Sequence, residues 1–557
     1  MLKIETWLDG VGLKAPIAEC PAWPPDLFAL AGTLIRRSGA YLRVFERRDV
    51  EDYPTGIRTA AQEWRERLDA IPAAAQDISA SDLQGARTLE IRQGWERLIQ
   101  KKGIDVSAIN DHPDLAEALI RLTLIADEAS AGIGISWDPD KPSQFLSMAQ
   151  RALTDSGARS FCWDVPRDVL CVLGKQHTPV KGATFRSLSH HLALYQPSEI
   201  EARWVTLIPK TGKPALPRRG LNLLLLPWPE RIDTEDFQVV WPGVPQPDRL
   251  EPPGYFRYEP KHYDAPRDFK EKLEKALESA QVHTGGPIDA VVFPELALTE
   301  EQFDVAEEVA FEKRCILICG VRQARTTVGD WDSNVSVLQA AGAVRGAKPE
   351  SDDADLRESL QLYQAKHHRW YLDRTQIVSY QLASGLPPSQ GAWEHIELVP
   401  PRVLHFVTLH ATTWSVLICE DLARQDPAGD LIRAVGPNLL IALLMDGPQL
   451  SSRWPARYAA VLAEDPGTSV LTLTSLGMAE RSRPILSGQR ASISRVIGLW
   501  RDAIQGETQI ALDSDHNACV LSLEYDKRTE YCADGRSDHG QTCYPVYAGH
   551  RSFKIGA

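Results

Sequence analysis

The run Val416-Leu417-Ile418-Cys419-Glu420-Asp421 reads as an apolar strand that delivers a cysteine into a turn opening a helix. Backbone N–H groups of such a turn favour a thiolate and can hold an oxyanion, and the two acids suit a helix N-terminus. A buried structural cysteine is the plainer reading of the same six residues. The surroundings of the run decide the fold. Downstream, residues 422–435 are expected as a helix stopped by Gly436, then strand 439–445, helix 454–463 and strand 469–474. Upstream, residues 403–409 form the preceding strand.

The same alternation begins further back. Residues 221–226 are a continuous apolar run, as expected of a strand buried on both faces. Pro266 opens a helix with Phe269, Leu273, Ala276 and Leu277 on one stripe. Residues 288–293 are a second buried strand, and Thr299 with Gln302 forms a capping-box pair before another helix. Strands at 315–321 and 334–339 follow, with an acidic loop near 351–355. The apolar stretches 493–499 and 518–523 read as a closing hairpin. Alternating strands and helices with antiparallel additions imply a layered α/β sandwich.

The chain before about Pro217 reads differently, as mainly helical. In residues 114–130, Leu115, Leu119, Leu122 and Ala126 fall on one face, with Pro113 at a tolerated helix start. Trp64, Trp95 and Trp137 are expected core anchors. Residues 210–220 (KTGKPALPRRG) have a linker composition, so residues 1–217 are read as a helical region and 218–557 as the sandwich.

A length of 557 residues exceeds one ordinary core and favours two or more domains. The balance of 43% hydrophobic and 24% charged residues is globular. A net charge of -14 argues against general nucleic-acid binding, which needs surplus Lys and Arg. No apolar run is long enough to span a bilayer. The start MLKIETWLDG lacks a signal core, and nine scattered cysteines do not form a disulfide framework. A cytoplasmic location with reduced thiols is therefore expected.

Two more places set a reactive side chain beside a strand end, where open α/β sheets build sites. Val291-Val292-Phe293-Pro294-Glu295 ends a buried strand in a carboxylate, although a solvated strand-exit acid is the plainer reading of Glu295 alone. Ala365-Lys366-His367-His368-Arg369-Trp370-Tyr371 sets a lysine among imidazoles and aromatics, which by itself is also an ordinary basic loop.

Taken in order, Phe293-Pro294-Glu295, Lys366-x-His368 and Cys419-Glu420-Asp421 resemble the signature of the nitrilase, or carbon–nitrogen hydrolase, superfamily. The resemblance spans roughly residues 221–525. It includes Asn334, the Arg457-Tyr458-Ala459-Ala460 helix and the strand and turn at 469–477. It implies a nitrilase-like αββα sandwich, commonly a homo-oligomer, with no metal or organic cofactor. It also implies Glu295 as general base, Cys419 as nucleophile and Lys366 as oxyanion stabiliser helped by the Glu420 N–H, with His368 nearby. Family members carry a second glutamate several residues after the lysine, and the nearest residue here is Gln376, an amide. The Cys-Glu-Asp form resembles the glutaminase domains of glutamine-dependent NAD synthetases more than true nitrilases. An amide substrate is therefore expected over a nitrile.

Two other clusters stand apart. Cys532, His539, Cys543 and His550 match no common zinc spacing and read as a solvated tail. Residues 175–195 concentrate Lys175, His177, Lys181, Arg186, His190 and His191. On composition they read as a basic solvated segment rather than an anion site. Two functions follow: a thiol hydrolase of carbon–nitrogen bonds, or a nitrilase-fold binding or signalling module acting through residues 1–217.

Overall fold

The computed structural model describes residues 2–556 apart from residues 15, 47–51, 73–79, 136–142, 180–181, 198, 209–219, 242–253, 324–330, 342, 345–358, 389–390, 399, 410–411 and 487. Most of the expected linker, the acidic loop at 351–355, Trp137 and Lys181 lie outside the described residues.

Two large sheets face one another. The first runs Ala343–Val344, Ile200–Ile208, Arg402–Leu409, Thr412–Ile418, Leu439–Leu444, Ser469–Thr474, Val496–Asp502, Gly506–Ala511. Its centre is parallel, with Ile418 level with Leu443 and Leu443 level with Leu473. The second runs Ser359–Ala365, Asn334–Ala341, Ile316–Arg322, Ala290–Val292, Gly220–Leu225, Ala518–Arg528, Thr542–Phe553. Its three middle strands are parallel too.

The apolar runs are continuous because both faces of these strands are covered. Leu221, Leu223 and Leu225 point between the sheets, where they meet Trp414, Ile441 and Leu471 of the other sheet. Leu224, Val291 and Leu317 point outward onto Phe269, Leu273 and Leu277 of helix Pro266–Thr284 and Phe303 and Val309 of helix Glu300–Lys313. On the far side, Leu440, Ala442 and Val470 meet Ala459 and Leu462 of helix Trp454–Glu464. Each fully buried leucine contributes about 1.5–3 kcal/mol. The result is a four-layer αββα sandwich, as the resemblance implies.

The helices Pro24–Ser38, Tyr53–Asp69, Leu89–Gln100 and Pro113–Ala129 precede the sandwich and bury Trp64 and Trp95. Their core is continuous with the outer face of the first sheet. Trp204, on a sandwich strand that precedes Pro217, stacks on Phe406 at 5.9 Å and meets Phe161 edge-on at 6.2 Å. Asp127, buried at the end of its helix, accepts the backbone N–H groups of His190, His191 and Leu192. It also lies 3.4 Å from the buried Arg536 guanidinium.

Three expectations are corrected. Residues 496–502 and 518–528 are not one hairpin: the first pairs with Gly506–Ala511 and the second with Thr542–Phe553, in different sheets. Periodicity marks a strand and does not name its partner. Residues 175–195 are not a solvated basic segment. Strands Cys171–Gly174 and Leu192–Tyr195 pair there, and Lys175, His177 and His190 are buried. Lys175 Nζ donates to the Ser189 carbonyl at 2.5 Å and its hydroxyl at 3.1 Å, so backbone and hydroxyl oxygens solvate the charge in place of water. The C-terminal residues are no solvated tail: they supply an edge strand and a loop in which Cys532 and Arg536 are buried.

Candidate active site

Glu295 leaves the sandwich just past strand Ala290–Val292. The Phe293 N–H donates to the Ile318 carbonyl at 2.8 Å, and Gly320 N–H to the Pro294 carbonyl at 3.1 Å. This close approach requires glycine. A Cβ at Gly320 would lie 2.5 Å from Leu296 N and 2.6 Å from Glu295 Cα, both backbone atoms that cannot swing aside.

Lys366 follows strand Ser359–Ala365, with its N–H on the Asn334 carbonyl at 2.9 Å. Neighbouring side chains fasten it to the opposite sheet. Gln364 donates to the Val416 carbonyl at 2.9 Å, and His367 Nε2 pairs with the Val403 carbonyl at 3.0 Å. Asp421, fully buried two residues after Cys419, accepts the His367 N–H with both oxygens and pairs with His368 Nδ1 at 2.9 Å. His368 therefore joins the lysine segment to the cysteine turn.

Cys419 ends strand Thr412–Ile418 in the left-handed region, at φ 43°. Such a conformation is uncommon for a residue with a side chain and persists only where its surroundings impose it. A turn, Cys419–Ala423, follows, and regular helix spans only Asp430–Val435. The longer helix expected over 422–435 is corrected: Pro427 lacks an N–H and Asp426 adopts extended φ/ψ.

Glu295 and Lys366 meet in the buried interior. Lys366 Nζ lies 2.7 Å from Glu295 Oε1 and 2.6 Å from Glu394 Oε2. Asn334 Nδ2 donates to Glu295 Oε1 at 2.7 Å and Glu394 Oε1 at 2.8 Å. Glu394 comes from the short strand Ala392–Glu394 of a smaller sheet, and its Oε2 also accepts the Trp370 N–H at 3.0 Å. Glu295 Oε2 is buried without a hydrogen-bond partner among the described residues.

Fields set the proton affinities. Burial pushes the Glu295 carboxyl up, and the Glu394 charge adds to this against the pull of Lys366. Burial alone would push the Lys366 ammonium down. Glu295, Glu394 and Cys419 outweigh it and hold the lysine well above its ordinary range. Burial drives the Cys419 thiol well above its usual value, and Glu295 raises it further while Lys366 opposes. Cys419 is thus a thiol at rest, with a carboxylate and an ammonium acting on it. Asp446, just past strand Leu439–Leu444, adds to the rise and is held by Tyr380 and by Arg453 at 2.5 Å.

Glu295 and Lys366 thus share one buried cluster, the buried Cys419 thiol feels the charge of both, and His368 pairs with Asp421 of the cysteine turn. Glu420 flanks the turn, ion-paired to Arg424 at 3.1 Å. Gln376 is corrected as the second-glutamate position. It is half-buried on helix Arg374–Ser379 and caps that helix by a reciprocal pair with Asp373. Glu394 takes its place, 28 residues after Lys366. The sequence signal for it was the alternating Ala392-Trp393-Glu394, a short strand ending in an acid. Among the described residues no group of three or more His, Cys, Asp and Glu side chains is arranged to hold a metal, Cys532 and its neighbours included. No helix among them is long and apolar enough to cross a membrane.

No family model and no curated protein matches the chain. Among solved structures it is similar to an amidase from Nesterenkonia sp., at TM-score 0.30 and 11% identity over 55% of this chain and 92% of that one. It is also similar to a cysteine-to-alanine variant of the Nesterenkonia AN1 amidase from the nitrilase superfamily, at TM-score 0.31 and 12% identity over 56% and 93%. A third is a variant of that amidase carrying the acetamide moiety of fluoroacetamide at its active site cysteine, at 0.31 and 11% over 55% and 92%. By its own layers and strand order, this chain carries an αββα sandwich.

Proposed function

We propose that the protein is a thiol hydrolase of carbon–nitrogen bonds, acting on an amide substrate through Glu295, Lys366 and Cys419. The observation that carries the reading is one buried ammonium, Lys366 Nζ, between two carboxylates, with the Cys419 thiol in the field of both Glu295 and Lys366.

In this reading Glu295 Oε2 takes the thiol proton as Cys419 Sγ bonds to the carbonyl carbon. The carbonyl π electrons move to oxygen, and the Lys366 ammonium with the Glu420 N–H stabilises the oxyanion. The oxyanion collapses, the C–N bond breaks, and Glu295 returns the proton to the departing nitrogen. Water then gives a proton to Glu295 and attacks the thioester, releasing acid and restoring the thiol. Glu394 and Asn334 are positioning residues: they fix the ammonium and hold Glu295 Oε1, leaving Oε2 for the proton.

The test is ammonia release from a panel of primary amides by the parent and by Cys419→Ala. Turnover lost in the variant supports the reading; equal turnover rules it out. The module reading has the continuous core between helices and first sheet in its favour, and lack of turnover on every amide with an unreactive Cys419 would support it.

A further inference from the structure

A second feature bears on what such a site accepts. A cavity of about 610 Å³ is lined by residues close in the chain to Lys366, Glu394 and Cys419. His368 comes from the lysine segment, Trp393 adjoins Glu394, and Arg424 follows the Cys419–Ala423 turn. Tyr255 enters from strand Gly254–Tyr258, which pairs with Ala392–Glu394. The cavity therefore adjoins the segments that carry three of the reacting and positioning groups.

Its lining is cationic. Arg369, Arg402 and Arg424 line it, against one carboxylate, Asp426. Arg402 and Arg424 are held from behind by Glu199 at 2.9 Å and Glu420 at 3.1 Å. Arg369 has no carboxylate partner among the described residues. It donates to the Ile396 carbonyl at 2.9 Å, and its guanidinium lies 5.0 Å over the Trp331 ring. A half-buried guanidinium braced by a carbonyl and a ring keeps donors for an incoming anion, and the fork suits carboxylate or phosphate oxygens. Tyr255 and Trp393 add aromatic faces, Trp393 being 38% exposed.

We propose that the substrate is an anionic amide, carrying a carboxylate or phosphate group several bonds from the scissile bond. Arg369 is the primary anchor, with Arg402 and Arg424 completing the field. This inference rests on the hydrolase reading. It makes cationic amides poor substrates, because three guanidiniums against one lining carboxylate repel them, and uncharged amides weaker ones, because they leave Arg369 without an anion.

The experiment compares alkylation of Cys419 in the full-length protein by 4-(iodoacetamido)butanoate and by neutral iodoacetamide near neutral pH, read by mass spectrometry of the Cys419 peptide. The ratio of the two rates is expected to exceed that of a free cysteine peptide by roughly tenfold. Arg369→Met is expected to return it toward the free value. Reaction with iodoacetamide at a free-thiol ratio, or a ratio unmoved by Arg369→Met and by Arg369→Met with Arg424→Met, overturns the anion anchor and leaves the hydrolase reading standing. Where Cys419 resists both reagents, kcat/KM on chain-length-matched anionic and neutral amides is the readout: equal values overturn the anchor, and no Cys419-dependent turnover overturns both.

Discussion

Glu394 stands across the Lys366 ammonium from Glu295, 2.6 Å from Nζ on one side against 2.7 Å on the other. Asn334 spans the same two carboxylates with one amide nitrogen. Two buried acids share one buried cation, and the charge of Glu394 raises the proton affinity of Glu295.

That coupling makes Glu394→Gln informative. The amide can still accept from Lys366, but it removes the charge that raises Glu295. Turnover is expected to fall roughly 10–100-fold, because the ammonium loses half of its anchoring charge. The acid limb of the kcat/KM profile is expected to move to lower pH, since Glu295 then ionises more readily. An acid limb that stays in place contradicts the coupling.

In the proposed mechanism the parent protein has a related pH signature. Glu295 must be ionised to take the thiol proton, and burial holds its carboxyl above the ordinary range. Activity is therefore expected to be lost, as pH falls, at a pH above the value of about 4.3 typical of a free glutamate side chain. A kcat/KM profile flat down to that value would show that Glu295 does not serve as the base.

Gly320→Ala tests the backbone approach that positions Glu295. The new Cβ would meet the Glu295 Cα at 2.6 Å and the Leu296 nitrogen at 2.5 Å. Overpacking against backbone is expected to cost about 1–3 kcal/mol in denaturant unfolding and to displace the carboxylate, lowering turnover. Parent-like values of both would show that the strand shifts freely.

Stability against pH tests the burial of His190. Burial lowers its pKa to about 4, from about 6.5 when unfolded. The unfolded chain therefore gains a proton first as pH falls. His190 contributes stability above the unfolded value and loses it progressively between the two, by roughly 3 kcal/mol. His190→Gln is expected to flatten the slope of unfolding free energy over that window, whatever its cost at neutral pH. An identical slope would place the imidazole in solvent.

The strands that carry Glu295 and Cys419 were legible because burial on both faces writes itself as an unbroken apolar run, and the Thr299–Gln302 capping box was legible from two residues. Strand Ser359–Ala365, which delivers Lys366, was not: it is an edge strand, and Ser359, Gln361 and Gln364 break the apolar pattern. Glu394 escaped for a different reason. It approaches Lys366 from a separate small sheet, and a search along the chain stops at Gln376, which serves its own helix. Strand Ile200–Ile208 was hidden by its position before Pro217, where the helical pattern dominates. The buried cation Lys175 was read from composition as solvated, because composition counts charges and not the carbonyl and hydroxyl oxygens that meet them.

The most direct measurement is to quench the protein in acid during incubation with an amide it turns over and to weigh the Cys419 peptide. An acyl adduct on Cys419, removed by hydroxylamine and absent from Cys419→Ala and Glu295→Gln, is the predicted result. Ammonia release that continues with no adduct on this cysteine, or unchanged in both variants, would contradict the account.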